Sequence, residues 1–335
     1  MRRRGKPRFW ADGVLVVDKP AGPTSHDVVD RLRRRYRPAR LGHAGTLDPF
    51  ATGVLVLAFN QATRLSELLG AGDKVYRGVL ALGTATETGD PTGKVIRQEP
   101  VPSLSEEEVR RALASLEGER LQTPPPFSAV KHQGRPLYAY AREGKKIEKP
   151  PRRIVVRRAV LHRLEPAAVE LEMQVSRGTY LRSLAEDLAA LLGTVGHLAS
   201  LARLASLPFR LEDAVSLEEV LDWGPRELAR RLIPPPRVLA ACGLPAVEVD
   251  EELAWRLRQG GFLDTASLLG PEQPRPRPGR PFQVLDRQGG LVAVLRWLEA
   301  GERLPGRDYQ TMRVFPQPPR REAEDRTSAS ASGAE

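Results

Sequence analysis

Long apolar runs are missing from this 335-residue chain, and so is cysteine beyond a single residue, Cys242. With no run of about 18 apolar residues, a transmembrane helix is not expected. A lone cysteine excludes a disulfide framework and any thiolate-based zinc or iron–sulfur site. The five histidines stand at 26, 43, 132, 162 and 197 without metal-ligand spacing, so no metal is expected. Aromatic residues make up only 5%, which leaves a core of Leu, Val and Ala. G-x-G-x-x-G, H-E-x-x-H and G-x-S-x-G are absent, and Gly70-Ala-Gly-Asp-Lys74 lacks both the spacer and the Lys-Ser/Thr ending of a phosphate loop. The first residues, Met1-Arg-Arg-Arg-Gly-Lys, are charged, but Pro7, Asp12 and Lys19 interrupt the chain before an apolar stretch forms. No signal peptide is expected, and a soluble, cytoplasmic, monomeric protein is.

What the chain does have is positive charge in two places. The net charge is +10, with +8 in residues 1–40 and +8 in residues 131–158, so the remainder is mildly acidic at −6. Arginine outnumbers lysine 44 to 8, which suits bidentate phosphate contacts. Neither basic segment forms a long helix with an apolar face, so nucleic acid fits this footprint better than a membrane surface.

The 41% of hydrophobic residues suffices for a real core, while 30 Pro and 29 Gly point to many loops. Residues 1–12 read as a loose basic arm. Gly-Val-Leu-Val-Val at 13–17 reads as a buried strand, and Ser25 as the cap of a helix over about 26–37 with Val28, Val29, Leu32 and Tyr36 on one stripe. Further strands are expected at 54–59, 74–83, 153–163 and 168–176, the last with Val169, Leu171, Met173 and Val175 facing inward. Ser105 with Glu108 makes a capping box for a helix through Leu116, and two more helices fit at about 181–192 and 197–205. Strands and helices mix without regular alternation, so the expected class is α+β. Residues 119–151, with Pro124-Pro125-Pro126 and few periodic apolar positions, read as an inserted excursion. A boundary is expected near Pro234-Pro235-Pro236. Beyond it, runs at 281–285, 291–298 and 309–315 suggest a small β-rich module over 236–316, followed by a disordered tail at 317–335.

The most unusual stretch is Gly42-His43-Ala44-Gly45-Thr46-Leu47-Asp48-Pro49. Its glycines permit sharp turns and close ligand approach, and Pro49 biases Asp48 toward an extended backbone. From the residues alone, Asp48 either starts a turn or projects its carboxylate as a functional group.

This loop follows Asp18-Lys19-Pro20-Ala21-Gly22-Pro23-Thr24-Ser25 and continues into Ala51-Thr52-Gly53. It is followed in order by Asp73-Lys74-Val75-Tyr76-Arg77, Gly83-Thr84-Ala85-Thr86-Glu87-Thr88-Gly89-Asp90, Pro125-Pro126-Phe127-Ser128-Ala129-Val130-Lys131, Gly178-Thr179-Tyr180-Leu181-Arg182 and Leu201-Ala202-Arg203-Leu204. The set closely resembles the TruB-type tRNA pseudouridine synthases over about 13–210, with a weaker likeness to their PUA-like RNA-binding module beyond 235. His43-Ala44-Gly45-Thr46 departs from many relatives at 44 and 46, where both residues are small.

The resemblance implies a mixed-sheet catalytic domain over 13–233 and a cofactor-free, metal-free isomerase for the T-loop uridine at tRNA position 55. Asp48 would be the catalytic carboxylate, acting on the flipped nucleotide as nucleophile or as a base on its sugar, and Arg182 its cationic partner. Tyr76 and Tyr180 would line the uridine site, with Tyr76 also counted in the catalytic set. Leu201 would close the pocket, and His43 would contact the RNA where the nucleotide leaves the stack. Lys19 and Pro20 would support the loop from beneath. The 119–151 excursion corresponds to the family's tRNA-clamping thumb, with Lys131, Arg142, Lys145 and Lys146 as phosphate contacts, and favours the bacterial form that needs no protein partner. A tRNA-folding chaperone and a guide-RNA-dependent synthase are the alternatives.

Overall fold

Strands Gly13–Lys19 and Thr52–Phe59 pair antiparallel along their length, from Gly13 opposite Phe59 to Lys19 opposite Gly53. Around them lies a ten-stranded mixed sheet. Its main path runs Val215–Ser216, Gly13–Lys19, Thr52–Phe59, Gly196–Ser206, Lys74–Leu82, Ala168–Val175, Arg152–Glu165, Gly118–Gln122. Leu41–His43 pairs with Thr52–Phe59, and Phe209–Arg210 with Gly196–Ser206. The computed structural model describes residues 8–145, 147–261, 263–269, 276–302 and 308–316.

Two compact units divide the chain, Met1–Ile233 and Pro234–Glu335. The first holds the ten-stranded sheet. In the second, Ala246–Val249, Pro281–Asp286, Leu291–Trp297 and Tyr309–Val314 form a four-stranded sheet. Its core includes Val247, Leu257, Phe282, Val284, Leu295, Trp297 and Tyr309. The expected hairpin over Asp286–Gly290 is present, with Pro281–Asp286 antiparallel to Leu291–Trp297. Helices Pro235–Ala241 and Glu251–Arg258 accompany this sheet. The expected tail, 317–335, lies outside the described residues.

Helix Ser25–Tyr36 buries Val28, Val29, Leu32 and Tyr36, as its periodicity predicts. Each fully buried aliphatic side chain there contributes roughly 1.5–3 kcal/mol. Its cap is Thr24 rather than Ser25: the Thr24 hydroxyl accepts from the Asp27 N–H at 3.0 Å, and the Asp27 carboxylate accepts from the Thr24 N–H at 2.8 Å. The neighbouring hydroxyl of Ser25 is thereby free for a different use, described below.

Three further expectations change. Residues 197–205 are not a helix but part of the central strand Gly196–Ser206. Leu198 and Leu201 stand three apart, a helical spacing, because a bulge between Leu198 and Ser200 adds one residue and returns both leucines to the same face. The excursion begins at 123, since Gly118–Gln122 is an edge strand of the sheet, paired with Arg152–Val156. The arm is docked over at least part of its length. Phe9 is buried, its ring 5.7 Å from that of Phe59 and 6.0 Å from that of Tyr36, and Asn60 donates to the Phe9 and Ala11 carbonyls. Residues 1–7 lie outside the described residues.

Candidate active site

The loop between strands Leu41–His43 and Thr52–Phe59 carries Asp48, and three side chains fasten its backbone from below. Ser25 does so reciprocally, accepting from the Leu47 N–H at 2.8 Å and donating to the Leu47 carbonyl at 3.1 Å. Lys19, wholly buried, donates to the carbonyls of Pro20 and Pro23 at 2.8 Å and of Pro49 at 3.3 Å. Burial draws its ammonium down to about 8, against the pull of the Asp48 carboxylate. Arg203, 1% exposed, donates to the carbonyls of Val54 at 2.7 Å, Thr46 at 3.2 Å and Gly45 at 3.1 Å. The loop leaves through Gly53, where φ is +98° and a Cβ would stand 2.3 Å from the Arg203 carbonyl oxygen, so no other residue fits.

Asp48 projects from this frame to Arg182. The Arg182 Nε donates to Asp48 Oδ2 at 2.9 Å and its Nη2 reaches Oδ1 at 3.5 Å. Arg182, 3% exposed, also donates through Nη1 to the Thr88 carbonyl at 2.6 Å and through Nη2 to the Phe127 carbonyl at 2.8 Å. A second carboxylate, Asp90, places Oδ2 3.9 Å from the Arg182 Nε. Its Oδ1 accepts from Thr88 Oγ1 at 2.7 Å, the Thr92 N–H at 2.9 Å and Thr92 Oγ1 at 2.5 Å. Burial pushes the Asp48 carboxyl above the usual carboxylate range; Arg182 opposes that shift and Asp90 adds to it. The Arg182 side chain is 4% accessible while that of Asp48 is 35% accessible. The cation is therefore locked in the protein and the carboxylate is partly open to solvent.

The other expected site residues lie on neighbouring elements. Tyr76, half-buried, sits opposite Arg203 on strand Lys74–Leu82, and Leu201 sits opposite Gly78. A Cβ at Gly78 would stand 2.7 Å from the Ser200 carbonyl oxygen and 3.2 Å from Leu201 Cδ1, so the missing side chain lets the neighbouring strand's backbone approach and leaves room for the leucine. Tyr180, half-buried, immediately precedes helix Leu181–Leu191, two residues before Arg182. His43 ends strand Leu41–His43; its Nδ1 is buried without a hydrogen-bond partner among the described residues, and burial, then the charge of Arg203, draws its pKa down. Pro20 contributes its carbonyl to Lys19. A cavity of about 420 Å³ is lined by Phe50, Thr52, Arg77 and Leu201 among others, but not by Asp48 or Arg182.

In the excursion, Lys131, Arg142 and Lys145 are all exposed; Lys146 lies outside the described residues. Arg142 stacks over Tyr138 at 5.5 Å and Arg135 over Tyr140 at 5.0 Å. Glu143 pairs with both Arg135 and Lys145, which offsets part of the local charge. Asp90, Ser25 and Arg203 stand inside motifs legible in the sequence, but their contacts to this site were not; Gln122, taken up below, carries no sequence signal at all. Among the described residues, no group of three or more His, Cys, Asp or Glu could hold a metal, and no helix is long and apolar enough to cross a membrane.

The family profile "TruB family pseudouridylate synthase (N terminal domain)" matches residues 33–181, and "tRNA pseudouridylate synthase B C-terminal domain" matches 182–239. This chain belongs to the TruB family of pseudouridylate synthases. The "tRNA pseudouridine synthase B" of Chromohalobacter salexigens is 42% identical over 314 residues, covering 92% of this chain and 97% of that one. That of Syntrophus aciditrophicus is 42% identical over 311 residues, covering 91% and 98%. The fold is similar to a solved H/ACA RNP bound to a substrate RNA containing 2′-deoxyuridine, with a TM-score of 0.68 and 21% identity over 95% of this chain and 93% of that one. Within the family frame, the seam between the two profiles falls at Leu181 and Arg182, where the cation of the site begins its helix.

Proposed function

We propose that this TruB-family chain isomerises the T-loop uridine at position 55 of tRNA to pseudouridine, as a cytoplasmic monomer without cofactor or metal. The observation that carries this reading is the Asp48–Arg182 pair, a solvent-presented carboxylate held at 2.9 Å by a buried guanidinium. In the reaction the N1–C1′ bond breaks, the uracil turns, and a C5–C1′ bond forms. C5 then loses its proton and N1 gains one. Whether Asp48 attacks the nucleoside or takes a proton from its sugar, it must be ionised, and Arg182 opposes the desolvation that works against ionisation. Tyr76 and Tyr180 offer aromatic faces to a base taken out of its stack, each such contact being worth about 1–3 kcal/mol. Leu201 closes the pocket, and neutral His43 meets the RNA beside it. Lys19 and Pro20 keep the loop in place.

Incubation of the pure protein with an unmodified tRNA transcript, followed by mapping of pseudouridine, tests the reading. Turnover at one T-loop position with no added protein, guide RNA, nucleotide or metal is expected. Tight binding without product would instead favour a tRNA-folding chaperone, and a requirement for guide RNA would favour a guide-dependent synthase.

The exposed cations of the excursion make a second, separable prediction. Neutralising Lys131, Arg142, Lys145 and Lys146 together should weaken tRNA binding and flatten the slope of log K against log salt by about 2–3, at about 0.7–0.9 per lost phosphate contact. Because Lys145 is already paired with Glu143, its share should be the smaller. An unchanged slope would show that the excursion does not meet the RNA backbone.

A further inference from the structure

Helix Leu181–Leu191 starts without a cap of its own: Tyr180 holds the N-cap position, and its side chain makes no capping hydrogen bond. Tyr180 is itself held by Gln122, the last residue of the edge strand Gly118–Gln122. Its Oε1 accepts from the Tyr180 N–H at 2.8 Å, and its Nε2 donates to the Tyr180 carbonyl at 3.0 Å. One side-chain amide thus engages both backbone polar groups of one residue. Such a two-bond ring fixes orientation as well as distance, because a rotation that keeps one bond breaks the other. Gln122 is only 8% exposed, so water does not readily replace it.

The same Tyr180 carbonyl also accepts the Leu184 N–H at 3.3 Å in the helix's first turn. Gln122 therefore sets where the helix begins, and Arg182 leaves the helix two residues later toward Asp48. Gln122 also directly precedes the excursion, whose Phe127 carbonyl is held by Arg182 Nη2. The root of the excursion is accordingly tied to both Tyr180 and Arg182.

We propose that Gln122 is a positioning residue for the pseudouridine reaction, holding Tyr180 and Arg182 in register with Asp48 through the Tyr180 backbone. The inference rests on the roles given above to Asp48 and Arg182. A misplacement far from the chemistry can cost about 100-fold in rate. Q122M, which keeps the stem and loses both hydrogen bonds, should lower the single-turnover rate by about 10- to 100-fold while tRNA affinity stays within about twofold, since phosphate contacts dominate binding.

Q122E supplies a readout that a merely structural role would not move. Its carboxylate can still accept the Tyr180 N–H but sets a second oxygen against the Tyr180 carbonyl; protonation restores the donor. The ratio of the Q122E rate to the Q122M rate should rise as pH falls, because both variants loosen Arg182 from Asp48 and only Q122E regains its donor on protonation. Comparing the two variants with each other rather than with wild type sets aside the shift of the Asp48 acid limb that a loosened Arg182 brings to both. A wild-type rate in folded Q122M, or a Q122E ratio independent of pH, would overturn the proposal, and the nearly isosteric Q122E keeps it testable should Q122M not fold. D48N run in the same assay separates the two readings. Product from D48N would remove the catalytic assignment itself. An inactive D48N beside a fully active Q122M would remove the role of Gln122 alone.

Discussion

Asp48→Asn is expected to bring pseudouridine formation below detection, a loss of at least about 10⁴-fold, the scale on which removal of an enzyme's reacting group is felt. The amide keeps the shape of the side chain and an acceptor for the Arg182 Nε, but it offers neither an anionic nucleophile nor a base. Affinity for tRNA should stay close to wild type, because the exposed cations proposed to meet phosphates lie on other elements. The fold should survive within about 1 kcal/mol. Ser25, Lys19 and Arg203 grip the loop through the carbonyls and N–H of its backbone, and none of them donates to the Asp48 side chain. Stability should also carry a pH signature. Burial raises the Asp48 pKa in the folded protein, so the folded state binds more protons than the unfolded one just above the ordinary carboxylate pKa of about 3.9. Wild type should therefore lose stability relative to D48N as pH rises through that window. Denaturant titrations of both proteins at several pH values measure it. Turnover by pure D48N would take the catalytic role away from Asp48.

Much of this site was legible because its parts are contiguous in sequence. Gly42–Pro49 reads as a loop from its glycines and Asp48-Pro49, and a helix is expected from about 181. Family resemblance then joins Asp48 to Arg182, and the structure brings the two within 2.9 Å. What stayed hidden depends on partners far away in sequence. Gln122 looks like an unremarkable polar residue before a proline run until Tyr180, 58 residues later, is placed against it. Asp90 stands in a Thr/Gly-rich turn with nothing local to show that it faces the same guanidinium as Asp48. The cap expected at Ser25 falls on its neighbour Thr24, because the Ser25 hydroxyl is taken up by the backbone of Leu47, a partner outside its own helix. The strand Gly196–Ser206 was misread because its bulges imitate helical spacing, and Leu and Ala are good helix formers. In each case the missing information was tertiary, and no longer window of sequence would have supplied it.

Arg182→Met should leave an enzyme slower by about 10²–10³-fold, with its acid limb moved to higher pH. In wild type burial raises the pKa of the Asp48 carboxyl and Asp90 adds to that shift, while Arg182 and, to a smaller extent, Lys19 lower it. Methionine fills much of the arginine's space but removes the larger opposing charge, leaving only Lys19 to work against burial and Asp90. At a given neutral pH a smaller fraction of Asp48 is ionised, and the rate should recover in part as pH rises. Arg182→Lys tests the geometry separately. It restores a positive charge but not the fork that reaches Asp48, Thr88 and Phe127 together. It should therefore return the acid limb toward its wild-type position while recovering only part of the rate. Single-turnover rates at saturating protein, measured from pH 5 to pH 9 for the three proteins, decide the matter. An acid limb at the same pH in wild type and Arg182→Met would show that the guanidinium does not govern the ionisation of Asp48. In that event its value to the site would be positional, through the Thr88 and Phe127 carbonyls it holds.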